Sequence, residues 1–131
     1  MTTMYVGFWL SSDKYNFDFS DLILCGEIEK NKIGDINKRR GEVINRCNWS
    51  CCTAKKECVY TDDALKDLYE ILKTNFGDIK KRISELNLTV NIYVAVDTTE
   101  KDDVYSIDFS KEMLKMCAEL NADVCVDGIY Y

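Results

Sequence analysis

The sequence predicts an α+β fold: a two-layer sandwich whose helices pack on one face of a mainly antiparallel, four- or five-stranded sheet. Three observations carry that expectation. Residues 88–97 place Leu88, Val90, Ile92, Val94 and Val96 alternately with Thr89, Asn91, Tyr93, Ala95 and Asp97, the period-two pattern of a half-buried strand. Residues 62–86 carry Leu65, Leu68, Leu72, Phe76, Ile79, Ile83 and Leu86 at steps of three and four, the stripe of an amphipathic helix. A chain of 131 residues, 47% hydrophobic, is long enough for one core and too short for two. Residues 1–131 therefore read as a single domain.

The first strand is expected at about 4–11, sorting Met4, Val6, Phe8 and Leu10 from Tyr5, Gly7 and Trp9. A short helix near 19–25 follows, capped by Asp18 or Ser20 and ended by Gly26, and then a long loop. Residues 45–53 form the next strand, with Cys47, Trp49 and Cys51 on one side. The long helix over 62–86 starts at Thr61, with Asp62 and Asp63 at its positive end and Lys80, Lys81 and Arg82 at its negative end. Gly77 predicts a kink in that continuous helix.

A short strand is expected from Val104 to Asp108, beyond the polar turn 98–103. The helix over 111–120 begins at Ser110, with Phe109 and Leu114 as a hydrophobic staple, and turns Met113, Leu114, Cys117 and Leu120 to the core. The final strand, 121–131, places Ala122, Val124, Val126 and Tyr130 opposite Asp123, Cys125, Asp127, Ile129 and Tyr131. These phases predict Val90, Ile92, Val94 and Val124 buried against Leu68, Leu72, Phe76, Leu114 and Cys117. Tyr5, Trp9, Tyr93 and Asp127 then lie on the other face.

Composition narrows the chemistry. A net charge of −6 and a pI near 4.7 speak against a general nucleic-acid binder, which needs a basic surface. No apolar window approaches a membrane span, and the first ten residues have no basic segment ahead of their apolar run, so the expected location is the cytoplasm. The chain has no histidine, so neither a Ser-His-Asp system nor a histidine-based zinc site can be built within it. Its seven cysteines include four between Cys47 and Cys58, but the C-x3-C-C-x5-C spacing contains no C-x2-C knuckle. They read as reduced, mostly buried thiols acting as small hydrophobes, with no metal and no cofactor expected.

The order of these elements resembles a bacterial family, domain of unknown function 4279. The resemblance rests on the aromatic first strand, the turn Cys25-Gly26-Glu27-Ile28, the basic loop Lys38-Arg39-Arg40-Gly41-Glu42 and the strand carrying Trp49. It continues through Leu65 to Leu86, Val90 to Val96, the helix begun at Ser110 and the ending Asp127-Gly128-Ile129-Tyr130. The proline that follows the family's Leu-Gly-Ile turn is missing here. The resemblance implies a small α+β domain and assigns no activity.

Two constellations stand out as binding candidates. Lys30, Lys32, Lys38, Arg39, Arg40 and Arg46 make a basic loop in an acidic chain, and Arg39 with Arg40 could hold a phosphate or carboxylate through paired hydrogen bonds. The sheet face away from the helices would present Tyr5, Trp9, Asn91, Tyr93, Cys125, Asp127 and Tyr131, a mixture that suits a binding surface or a homodimer interface. Trp49 joins the candidate binding set. Asp123 and Asp127 share a strand face about 13 Å apart, too far for paired-carboxylate catalysis.

The expected function is a non-enzymatic acidic binding protein of an immunity or regulatory kind that blocks a basic protein partner. The alternative is a binder of a small anionic or nucleotide-like molecule, held between the basic loop and the aromatic face.

Overall fold

The computed structural model describes residues 2–24, 27–57, 62–98 and 107–130. In chain order these form β1 (Thr2–Ser12), β2 (Glu27–Asn31), β3 (Cys47–Cys52), β4 (Lys56–Glu57), α1 (Asp62–Lys73), α2 (Phe76–Leu86), β5 (Thr89–Thr98), α3 (Lys111–Glu119) and β6 (Asp123–Tyr130). The chain is α+β: the described residues form three helices and one mixed sheet of order β2-β3-β1-β5-β6. Every pairing along that order is antiparallel except β5 with β6, which run parallel on either side of the α3 crossover. The two-residue β4 continues the line of β3 along β1. No described helix is long and apolar enough to cross a membrane.

β1 lies at the centre of this order, paired along both edges. Met4, Val6, Phe8 and Leu10 are all buried, and they meet Val90, Ile92, Val94 and Val96 of β5 and Trp49 and Cys51 of β3 on the same side. Leu65, Leu68, Leu72, Ile79, Ile83, Met113, Met116, Cys117 and Leu120 from the helices join them in one core. Between β3 and β4 the ladder is interrupted at Thr53. Its N–H donates to Val6 O at 2.9 Å, and its hydroxyl accepts from Val6 N at 2.9 Å, so both backbone groups of the buried Val6 stay satisfied.

Several expectations are corrected. The 62–86 helix is two helices, broken at Thr74–Asn75 rather than kinked at Gly77. Thr74 turns its hydroxyl back to Glu70 O, and Asn75 gives its side-chain N–H to Leu22 O at 2.8 Å, so a tertiary bond takes the place of helical continuity. Instead of a helix near 19–25 there is a single turn, in which the N–H groups of Leu22 and Ile23 reach Phe19 O. Phe17 and Phe19 are both buried. Two residues apart, they share a side only on extended chain. Arg82 of α2 clamps this turn with two bonds of 2.9 Å to Asp21, one to Asp18 O, and its guanidinium 5.1 Å from the Phe19 ring centroid.

The long loop begins with a strand, β2, and ends in an exposed hairpin closed by the Ile36–Val43 bridge. Leu114 and Val124 are exposed (54% and 42%), not core. Met116 takes the buried place on α3, while Phe109 packs against the core without its staple partner. Val124 points to the helical side of β6 but lies on the strand beyond β5, where the helices leave it half-covered. Ser110 caps α3 as expected, accepting from Met113 N at 3.1 Å. The Thr61 cap and most of the Val104–Asp108 strand lie outside the described residues; Ile107 and Asp108 have no regular structure.

Candidate functional site

The register of five strands assembles the outer face of the sheet. Reading across it, one row runs Glu29, Ser50, Trp9, Asn91 and Asp123; the next runs Glu27, Cys52, Gly7, Tyr93 and Cys125. A third brings Tyr5, Ala95 and Asp127 together. Because successive side chains alternate faces, the same phase that buries Met4, Val6 and Phe8 sends Tyr5 and Trp9 outward.

Gly7 leaves an opening in the middle row, and the Trp9 ring lies across it. A Cβ at Gly7 would come 3.5 Å from Trp9 Nε1 and 3.5 Å from Cys52 Sγ. Those are ordinary van der Waals distances, so the Trp9 ring leans along its own strand to within contact of the Gly7 position. Beside it the face opens into a groove of about 510 Å³. Tyr5, Trp9 and Tyr93 supply its aromatic lining, Ser50, Cys52, Thr53 and Ala54 its small lining, and Glu27, Glu29 and Lys55 its charges. Trp9 is 49% exposed, against a core in which most aromatic and aliphatic groups are fully buried.

Polar contacts fix the lower end of this groove. The Tyr93 hydroxyl donates to Asp127 Oδ2 at 3.0 Å, and its ring lies 6.3 Å from that of Tyr5. Partial burial, and then the hydrogen bond to Asp127 and that carboxylate's charge, push the Tyr93 phenol up to about 12. Lys55 donates to Asp97 at 3.4 Å and holds its ammonium 5.5 Å from the Tyr5 ring centroid. Glu27 and Glu29 make no side-chain hydrogen bond or ion pair among the described residues.

The expected site residues separate accordingly. Tyr5, Trp9 and Tyr93 line the groove, with Asn91 and Asp127 on the same face beside it. Trp49 does not belong there: it is fully buried, its Nε1 donates to Ser20 Oγ at 3.3 Å, and its ring packs 6.0 Å from Phe19. Arg39 and Arg40 occupy the exposed hairpin tip and line no part of the groove. Of the basic loop only Arg46 touches the outer face, donating to Ser11 Oγ at 3.1 Å. Tyr131 lies outside the described residues.

The residues that sequence reasoning missed are Glu27, Glu29, Cys52 and Lys55. The alternation Glu27-Ile28-Glu29-Lys30 was the available signal for the first two. The described cysteines form no disulfide: Cys47, Cys51 and Cys117 are buried, Cys52 is half-buried and Cys125 exposed. No described cluster of cysteine and carboxylate groups is arranged to hold a metal ion.

No curated protein and no solved structure matches the chain. A family model matches residues 2–131, so every strand and helix described above falls within it. The chain belongs to the family described as a domain of unknown function, DUF4279.

Proposed function

We propose that this protein is a binding module that docks a basic protein partner on the outer face of its sheet, as an immunity-type or regulatory protein does. The observation that carries this reading is the groove: three exposed or half-exposed aromatic rings beside two carboxylates, Glu27 and Glu29, that no described residue neutralises. Aromatic anchors with a charged rim are what protein interfaces use, and a net charge of −6 speeds encounter with a basic surface. The anionic-ligand reading loses its support, because Arg39 and Arg40 are not at the groove and the groove's own unpaired charges are negative. Under the same proposal the protein works in the bacterial cytoplasm, and a second copy of the chain is the competing occupant of the face.

The test is recovery of the partner from source cells with the tagged chain, followed by titration of the two purified proteins. The expected result is a complex with a basic protein whose association slows as salt rises. Trp9→Ser should weaken it about 30-fold, the scale of a 2 kcal/mol hot spot. An acidic partner, salt-independent association or an unchanged Trp9→Ser affinity overturns the reading. Light scattering that shows a Trp9-dependent dimer of the chain alone assigns the face to self-association instead.

A further inference from the structure

We propose that the groove is a cation site, which takes one guanidinium or alkylammonium group from an arginine or lysine side chain of the partner. The inference rests on the binding reading above and adds the chemistry of the group received.

Three observations support it independently. The first is the lining: Trp9, Tyr5 and Tyr93 present π-faces and edges within one groove, and a cation over an aromatic ring is attracted by its quadrupole. The second is charge. Glu27 and Glu29 are brought to that groove by the β2–β3 register, opposite Cys52 and Ser50, and neither is paired among the described residues. The third is that the protein already keeps an ammonium here. Lys55 Nζ is 5.5 Å from the Tyr5 centroid and 3.4 Å from Asp97 Oδ2, so ring and carboxylate act together on a cation at one end. At the Trp9 end the ring and the carboxylates stand together with no lysine or arginine among the described residues lining the groove there.

Methylguanidinium and n-butylammonium serve as probes, added to the ¹⁵N-labelled full chain. The two tryptophans give two indole N–H signals, and Trp49, fully buried, is a built-in control. The cation site predicts a saturable shift of the Trp9 signal in the millimolar range, with the Trp49 signal still. Acetate at equal ionic strength and n-butanol should leave both signals in place. The double variant Glu27→Gln/Glu29→Gln should weaken the binding roughly fivefold, the effect of two exposed charge contacts. Lys55→Met, which removes a like charge, should strengthen it.

A linear, unsaturable response, an equal response to acetate or butanol, or unchanged affinity in the double variant overturns the cation site. It fails separately from the binding reading. A partner complex that depends on Trp9 but a groove indifferent to both cations removes only the cation site. Cations bound at Trp9 without any Trp9-dependent complex remove only the partner.

Discussion

Trp9 and Trp49 lie on neighbouring strands, one residue out of step. Trp9 is opposite Ser50, and Trp49 is opposite Leu10. That single step places them on different faces of the sheet, one 49% exposed and the other fully buried. Trp49 is surrounded by core, touches Phe19 and gives its N–H to Ser20. Trp9 lies over a glycine and faces carboxylates. The comparison teaches that register alone decides whether the same side chain is buried in the core or presented at the surface; one face of this sheet holds the fold, and the other is the face on which the proposed docking takes place.

The largest effect that tests this division is at Trp49. Trp49→Ala should cost about 3–5 kcal/mol in chemical denaturation, because a large ring is lost from a site that cannot close around the void. A cost below about 1 kcal/mol would erase the contrast with Trp9. Thr53→Val comes next, at about 1–3 kcal/mol, since the buried Val6 N–H loses its acceptor while side-chain volume is kept. Removing the α3 cap by Ser110→Ala should cost about 1 kcal/mol.

On the outer face, the changes should appear in titration rather than in folding. Tyr93 holds its proton up to about 12, so the linked stability is complete below the ordinary value of 10.0 and is lost as pH rises through 12. Ultraviolet titration of Asp127→Asn should show the Tyr93 phenol ionising at lower pH than in the parent chain; no change would mean that burial alone holds the proton. The carboxyls of Asp18, bonded to Lys30, and Asp21, bonded to Arg82, lie below the usual range. Their contribution is present above 3.8 and fades as pH falls below it. Both are surface groups, so Arg82→Met should shift the acid limb by no more than about 1 kcal/mol. Trp9→Ser should cost clearly less than Trp49→Ala, about 1 kcal/mol, because only half of the ring is covered, while removing an aromatic ring from the groove.

What could be read from the sequence follows the strength of local pattern. β1, β3, β5 and β6 each alternate over five or more residues, and α3 announces itself with Ser110, so their type and facing are legible. β2 has only Ile28 as an inward apolar residue, and an edge strand of Glu, Lys and Asn looks like loop until its partner is known. The break at Thr74–Asn75 depends on a bond to Leu22, more than 50 residues away, which no window contains. The exposure of Leu114 and Val124 is likewise a matter of where the layers end, not of periodicity. At the site, Tyr5, Trp9 and Tyr93 follow from phase. Placing Trp49 in the binding set ignored its own phase, shared with Cys47 and Cys51, and Arg39 with Arg40 required knowing where a hairpin points.

The central position of β1 has a consequence in time. Its register partners on β5 are roughly 80 residues further along the chain, as Leu10 opposite Val90 shows. Synthesis at about 5–20 residues per second brings β5 out roughly 4–16 seconds after β1. β3 arrives sooner and can cover one side, but the other edge of this apolar strand stays bare for that interval. Nascent chains of this protein stopped before residue 89 therefore leave one edge of the strand carrying Met4, Val6, Phe8 and Leu10 unpaired, and they are the species that a chaperone should bind.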